Sequence, residues 1–306
     1  MPHEIRRVLR AFATRPWFIE PRKAAEIVAM LQLRASLGPR TERYRAEPAG
    51  REPLSQTAAG SIAVLKLYGT IVPRMERLED VSQTAASLVE FGTAFDAAAA
   101  NPNTRAIVLD VDSPGGTVDL VPETAARIRG AKREDRPIVA VANTIAASAA
   151  YWIASAADEL VVTPSGEVGS IGVYTVHEDV SEMVKAMGVN VTFIAEGPRK
   201  VEGNPFEPLT PEARNALAGV VRYYYDMFVK DVAKARGVST AVVRADPEKT
   251  DKHMGGGRVY PAQMAVDLGM ADRVETLDEV IERLQAGGGY RRKRKADAGR
   301  RRLALI

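Results

Sequence analysis

The sequence predicts an α/β fold with a mainly parallel sheet, and three observations carry that expectation. From about residue 61 onward, short β-branched runs alternate with helical stretches. The run Arg105–Val111 (RAIVLDV) is apolar and β-branched almost throughout, as a strand covered on both faces must be. The breaks between segments fall at punctuating residues: Asn101-Pro102, Gly130, Gly188, Gly237 and Gly269.

Taken in order, residues 1–20 are basic and partly amphipathic. Pro21 can open a helix that sets Ala24, Ile27 and Leu31 on one face and ends near Gly38. Residues 38–59 lack periodicity, hold three Pro and read as a linker, so the folded body should begin near Ser61. Expected strands are Ile62–Tyr68, Arg105–Val111, Ile138–Ala142, Leu160–Thr163 and Asn190–Ile194. Expected helices are Val81–Ala100, Val118–Arg129, Ala147–Ala156 and His177–Met187, with Asp112–Thr117 as a turn. Thr210-Pro211-Glu212 sets an N-cap before Pro at the first helical position, and Gly237 stops that helix. Tyr260-Pro261 opens another helix, which Gly269 closes. Thr276-Leu277-Asp278-Glu279 is a capping box for the last one. The organisation expected is a helical lead with linker over 1–59, a body over 60–286 and a disordered basic tail over 287–306.

Composition narrows the chemistry. The chain has 306 residues, 46% hydrophobic and 26% charged, which suits a soluble globular body with one large domain. It has no Cys, which removes disulfides, thiolate metal sites and a Cys nucleophile. Its three His are His3, His177 and His253, too few for a His-rich metal site, and no cofactor or metal is expected. Residues 1–51 carry a net +6, residues 52–290 a net −10 and residues 291–302 a net +7. The basic character thus belongs to the ends and not to the body. Residues 137–157 are uncharged and long enough to cross a bilayer at about 20 residues. Their Asn143, Thr144, Ser148 and Ser155 fit a buried strand leading into a buried helix better. The first residues lack the apolar core of a secretory signal, so a cytoplasmic location is expected.

Two places could hold chemistry. The turn Ser113-Pro114-Gly115-Gly116 follows a buried strand, at the end of a parallel sheet where ligands bind. Its paired glycines could point backbone N–H groups at an anion, or serve only as a tight turn. In Ala146-Ala147-Ser148-Ala149-Ala150-Tyr151-Trp152, a Ser stands among small residues where a strand gives way to a helix, with the N–H of Ala149 beside it. That is a place for a nucleophile and an oxyanion donor, or simply a Ser packed in an Ala-rich helix. Neither His177, beside Glu178 and Asp179, nor His253, in a glycine-rich loop, has the setting of an oriented base. Lys200, in Glu196-Gly197-Pro198-Arg199-Lys200, could act as base if buried, or be a surface lysine.

The segments SIAVLKLYGTI, RAIVLDVDSPGGTV, ANTIAASAAYWIASAADELVVTPSGEVGSIGV, EGPRK and GRVYPAQMAVDLGMADRVETLDEVI, in this order over about residues 60–285, resemble peptidase family S49. That family comprises the signal peptide peptidase A-like serine proteases and includes phage prohead proteases. The resemblance implies a ClpP/crotonase-like fold. It implies Ser148 as nucleophile, Lys200 as general base of a Ser–Lys dyad, and Ser170 as a hydroxyl bonded to the lysine amine. It implies Gly115 and Gly116, with Ala149, as oxyanion and substrate-binding donors. Where the family usually has Gly-Gly after the nucleophile, this chain has Ala149-Ala150.

The lead RPWFIEPRKAAEIVAML resembles the soluble lead of phage and prophage members, which implies head maturation by cleavage of scaffold, portal or capsid proteins. It also implies a homo-oligomeric ring, in which the aromatic helix Val220–Val232 could lie between protomers or simply in the core. The other functions open at this point are a cytoplasmic peptidase degrading released peptides, a crotonase-type acyl-CoA enzyme, and an inactive capsid or scaffold component. The tail Tyr290–Ile306 could dock on an acidic scaffold protein or on nucleic acid, or be a plain solvated tail.

Overall fold

The structure, a computed structural model, describes residues 17–19, 62–74 and 85–287. The helix expected after Pro21, the linker and the tail beyond 287 lie outside the described residues.

Eleven strands and eight helices are described. The strands are β1 Trp17–Ile19, β2 Ile62–Tyr68, β3 Thr70–Val72, β4 Ala85–Ser87, β5 Ala106–Ser113, β6 Gly115–Thr117, β7 Ile138–Ala147, β8 Glu159–Val162, β9 Glu167–Gly169, β10 Val259–Pro261 and β11 Arg273–Val274. The helices are α1 Leu88–Ala100, α2 Val121–Gly130, α3 Ala149–Ser155, α4 Ser181–Ala186, α5 Pro211–Arg236, α6 Thr240–Arg244, α7 Ala262–Asp267 and α8 Leu277–Gln285.

The main sheet is mainly parallel. β2, β5 and β7 run side by side in register, and β11 pairs parallel to β8. Along its length β7 changes neighbour: Val139–Ala142 pair with β8, and Ile145–Ala147 pair with β9. Among the described strands of this sheet, only β10 is antiparallel, against β9. Alternation along the buried strands sorts side chains to two faces. Ile107, Leu109 and Val111 of β5 join the large core with Phe91, Phe95, Ile128, Tyr151, Trp152 and Phe228 of the helices. Ala106 and Val108 face the other way, under Val280 of α8. Both faces are therefore covered, which is why RAIVLDV reads as a continuous apolar run. On the α8 side, the one carboxylate of that run, Asp110, is buried and accepts bonds from the Tyr68 hydroxyl and, at 3.1 Å, from Asn143 Nδ2.

A second, four-stranded sheet has the order β1-β6-β3-β4. The segment expected as a turn, Asp112–Thr117, instead lets β5 run to Ser113 and makes Gly115–Thr117 a strand of this sheet. Gly116 explains the tight fit: a Cβ there would lie 1.9 Å from the Ile71 carbonyl oxygen of β3.

Other expectations shift. α1 starts at Leu88, because Ser87 caps it by accepting from the Glu90 N–H, and residues 85–87 pair as a strand. α2 starts at Val121, after Leu120 in a left-handed conformation. β7 runs five residues past Ala142, carried by its second neighbour β9. The expected helix His177–Met187 shortens to Ser181–Ala186. The expected strand Asn190–Ile194 does not form: these residues are exposed and pair with none of the described strands, so β propensity there has nothing to act on. The Thr210 cap, the left-handed Gly237 stop and the Thr276–Glu279 capping box stand as the sequence predicts. Among the described residues no helix is long and apolar enough to cross a membrane; 137–157 is β7 followed by α3.

Candidate functional site

The site is built where β7 ends. Ser148 joins β7 to α3 with φ 55° and ψ −116°, in a chain where only Leu120 and Ser170 share positive φ among described non-glycine residues. Holding a β-carbon there costs about 1–3 kcal/mol, and such strain persists where the surroundings enforce it. Two backbone bonds do so: the Ser148 N–H donates to the Gly169 carbonyl (2.8 Å), and the Ser148 carbonyl accepts from the Trp152 N–H (2.9 Å). The serine hydroxyl does not cap its own helix. Its residue is 1% exposed, and the flanking Ala146, Ala147, Ala149 and Ala150 are wholly buried. A strained serine at a sharp strand-to-helix turn, with no backbone use for its hydroxyl, has the geometry of a nucleophile elbow.

Ser170 stands in the same relation to the neighbouring strand. Pairing of Ala147 with Gly169 brings Ser148 and Ser170 next in line on β7 and on the segment after β9. Ser170 is buried, has φ 54°, and its N–H donates to the Arg258 carbonyl (2.8 Å). Gly169 could not be replaced without strain: its φ is 131°, and a Cβ would meet the Arg258 carbonyl oxygen at 2.5 Å.

The glycine strand β6 packs against α3, the helix that Ser148 opens. Ser113 braces the turn into it. Its Oγ donates to the Gly69 carbonyl (2.7 Å) and accepts from the Gly115 N–H (3.2 Å). Gly115 needs its φ of 100° to make that turn. The Gly115 N–H is thus engaged by a side chain, while Gly116 lies within the strand. Beyond β6 a groove of about 470 Å³ is lined by Val118, Leu120, Tyr223, Tyr224 and Met227 among others.

Two side chains that follow the serine, quoted above only as part of a motif, fix α3. The Tyr151 hydroxyl donates to the Met270 carbonyl (2.9 Å). Burial raises its phenol pKa well above the ordinary value; Arg236 opposes that shift and Asp272 adds to it. The Trp152 indole N–H donates to Asp231 (2.8 Å), which also pairs with Arg129 (2.9 Å). Nothing in the sequence pointed to Asp231 or Met270, because both contacts join segments distant along the chain. The half of α5 around Phe228, Val229 and Val232 is core, whereas Val220 and Tyr223 are exposed.

The candidate bases are placed apart. His177 Nε2 lies 3.1 Å from the Asn204 carbonyl oxygen. His253 accepts the Gly255 N–H at Nδ1 (3.1 Å) and packs on Tyr260. Both imidazoles are thereby engaged in their own loops. Lys200 stands in an exposed turn, its N–H donating to the Gly197 carbonyl (3.1 Å), and it makes no hydrogen bond with Ser148 or Ser170. The structure therefore gathers Ser148, Ser170, Ala149 and the Gly115–Gly116 strand into one place. It leaves Lys200 on an exposed segment whose apolar residues Met183, Met187, Val189 and Ile194 are also uncovered.

Comparison with known proteins gives the chain its relatives. The capsid assembly protease C of Escherichia phage lambda is 33% identical over 234 residues, covering 76% of this chain and 50% of that protein. Protease 4 of Salmonella typhi is 30% identical over 223 residues, covering 72% of this chain and 34% of that one. The chain thus spans half or less of the length of these relatives. A solved ClpP1 structure from Listeria monocytogenes aligns over 71% of this chain and 92% of its own, at 15% identity and a TM-score of 0.40. The family model for peptidase family S49 matches residues 130–290, a stretch that holds Ser148, Ser170 and Lys200, and the chain belongs to that family.

Proposed function

We propose that this chain is a serine endopeptidase working through Ser148 and Lys200. The observation that carries the reading is the strained, buried Ser148 at a strand-to-helix elbow beside a glycine strand. In the proposed reaction, the Lys200 amine takes the Ser148 proton as Oγ attacks a peptide carbonyl carbon. The oxyanion is held by the Ala149 N–H and by N–H groups of the Gly115–Gly116 strand once substrate binding frees them from their present partners, Ser113 among them, each donor typically contributing about 2.7–4 kcal/mol in the transition state. The lysine ammonium then protonates the leaving amine, which departs and leaves an ester on Ser148. Water, giving a proton to Lys200, hydrolyses that ester, and the proton returns to the serine oxygen. Ser170 is proposed to orient the lysine amine. No metal or cofactor enters the scheme.

This reading requires Lys200 to leave its exposed turn. We propose that the segment carrying it docks against a second copy of the chain, which would cover Met183, Met187, Val189 and Ile194 together with the lysine. The head maturation role, with scaffold, portal or capsid proteins as substrates, is favoured by the likeness to the phage lambda capsid assembly protease. In that role the chain would act in the host cytoplasm or within the immature capsid.

The test combines labelling and mutation. A fluorophosphonate probe should modify the chain at Ser148. Ser148→Ala and Lys200→Ala should each abolish peptide cleavage, with the double variant little worse than either. Near-normal cleavage by Lys200→Ala would remove the dyad. Absence of labelling with measurable binding of acyl-CoA thioesters would replace the peptidase by an acyl-CoA enzyme.

A further inference from the structure

The outer edge of β6 is occupied by the chain itself. β1 pairs antiparallel with it, Trp17 opposite Thr117, Phe18 opposite Gly116 and Ile19 opposite Gly115. In the sheet order β1-β6-β3-β4 the other edge of β6 is taken by β3, so among the described residues β1 alone covers the edge that would otherwise be open. The strand is unlike an ordinary sheet border: it is two-thirds glycine and packs against the helix that Ser148 opens, and its Thr117 carries a buried hydroxyl with no hydrogen-bond partner. An unpaired edge is a template for any extended chain, because pairing uses only backbone groups. A glycine edge places little demand on the sequence that pairs with it.

We infer that Trp17–Ile19 is a displaceable strap lying on the edge of β6 that an extended peptide must take to reach Ser148. The proposal rests on the peptidase reading for its consequence, although the competition for the edge does not. The strap is bounded by its own sequence. Pro16 and Pro21 bracket it in the sequence, and a proline has no N–H to lend to a ladder. A three-residue pairing is short enough for an incoming peptide to replace. The peptide would bind in the same antiparallel sense, with its chain continuing toward the groove beside Val118 and Tyr223.

A disulfide can pin the strap without adding other thiol chemistry, because the chain has no cysteine. Directly opposed residues of an antiparallel pair have Cα atoms roughly 4.5–5.5 Å apart, within the span a disulfide bridges. The variant is Trp17→Cys with Thr117→Cys, prepared both with Ser148 intact and with Ser148→Ala. The binding probe is a fluorescein-labelled synthetic peptide with the sequence of residues 14–22 (TRPWFIEPR), followed by anisotropy. In the Ser148→Ala background the reduced chain should bind it at least tenfold more tightly than the oxidised chain. With Ser148 intact, oxidation should suppress cleavage of a short unstructured peptide at least tenfold, and dithiothreitol should restore it. A Phe18→Pro variant and a Trp17→Pro/Ile19→Pro variant, of which one must remove an N–H from the ladder, should between them raise peptide affinity several-fold. The proposal fails if no disulfide forms, if oxidised and reduced chains bind the peptide equally, or if neither binds it. If the peptide binds only the reduced chain while no form cleaves anything or labels at Ser148, the strap stands and the peptidase reading falls.

Discussion

The indole of Trp152 lies flat on the ring of Phe228, with centroids 4.7 Å apart and planes 4° from parallel. This stack ties the short helix after Ser148 to the middle of α5, and the indole N–H adds a bond to Asp231 three residues further along α5. A helix of one to two turns has little stability of its own, so its position depends on such contacts. Trp152→Ala should cost about 3–5 kcal/mol in denaturant unfolding. Phe228→Ala should cost a similar amount, and the two should couple by roughly 0.5–1.5 kcal/mol in a double-mutant cycle. Additive losses would show that the stack contributes only burial.

The strain at Ser148 makes a second expectation. Ser148→Gly removes the β-carbon that opposes φ 55° and should raise stability by about 1 kcal/mol or more, while ending any chemistry at that position. A melting temperature at or below that of the parent would mean that the surroundings do not store strain there.

Alkaline pH should weaken the fold in a way that can be traced to Tyr151 and Tyr68. Burial raises both phenol pKa values, with Asp110 adding to the effect at Tyr68. The folded state therefore keeps protons that the unfolded chain releases above about pH 10. The stabilisation is complete below that pH and falls as pH rises beyond it. Tyr151→Phe should flatten this fall, while costing about 1–3 kcal/mol at neutral pH by leaving the Met270 carbonyl without its donor. Absorbance of tyrosinate should show the buried Tyr151 phenol ionising only as the protein unfolds.

At the acid end, Glu279 is held below its ordinary carboxylate value by the Thr276 N–H (2.7 Å) and the Thr276 hydroxyl (2.8 Å). Its contribution to stability is present above the ordinary value and is lost as pH falls through the lowered one. Glu279→Ala should therefore shrink the acid dependence of unfolding without altering the alkaline limb. An unchanged acid limb would assign that dependence to other carboxylates.

What could be read in the sequence follows physical range. Arg105–Val111 announces a strand covered on both faces because each residue reports its own burial, and Thr276–Glu279 announces a helix start because its bonds are local. Ser148 stood out by its small neighbours, but its positive φ is imposed by the Gly169 carbonyl and could not be read from AASAA. Gly115-Gly116 looked like a turn since glycine usually marks one; its role as a strand depends on close approach to Ile71, a partner from another part of the chain. The run Asn190–Ile194 has the residues of a strand and lacks a neighbour to pair with, so its propensity misleads. Trp17–Ile19 could not be assigned as a strand, because so short a run acquires that meaning only from the edge it covers.

The bond from the Tyr151 hydroxyl to the Met270 carbonyl spans 119 positions of sequence. A ribosome releases Ser148 and its helix long before it has made the residue that locks them. β8, beside β7, likewise waits for β11, whose Arg273 pairs with the buried Glu159. Ser148 therefore sits, for part of translation, before a helix that lacks one of its anchors, and the last of them arrives with Met270. Under the proposed peptidase reading, that order of synthesis would place the last brace of Ser148 after most of the body has been made.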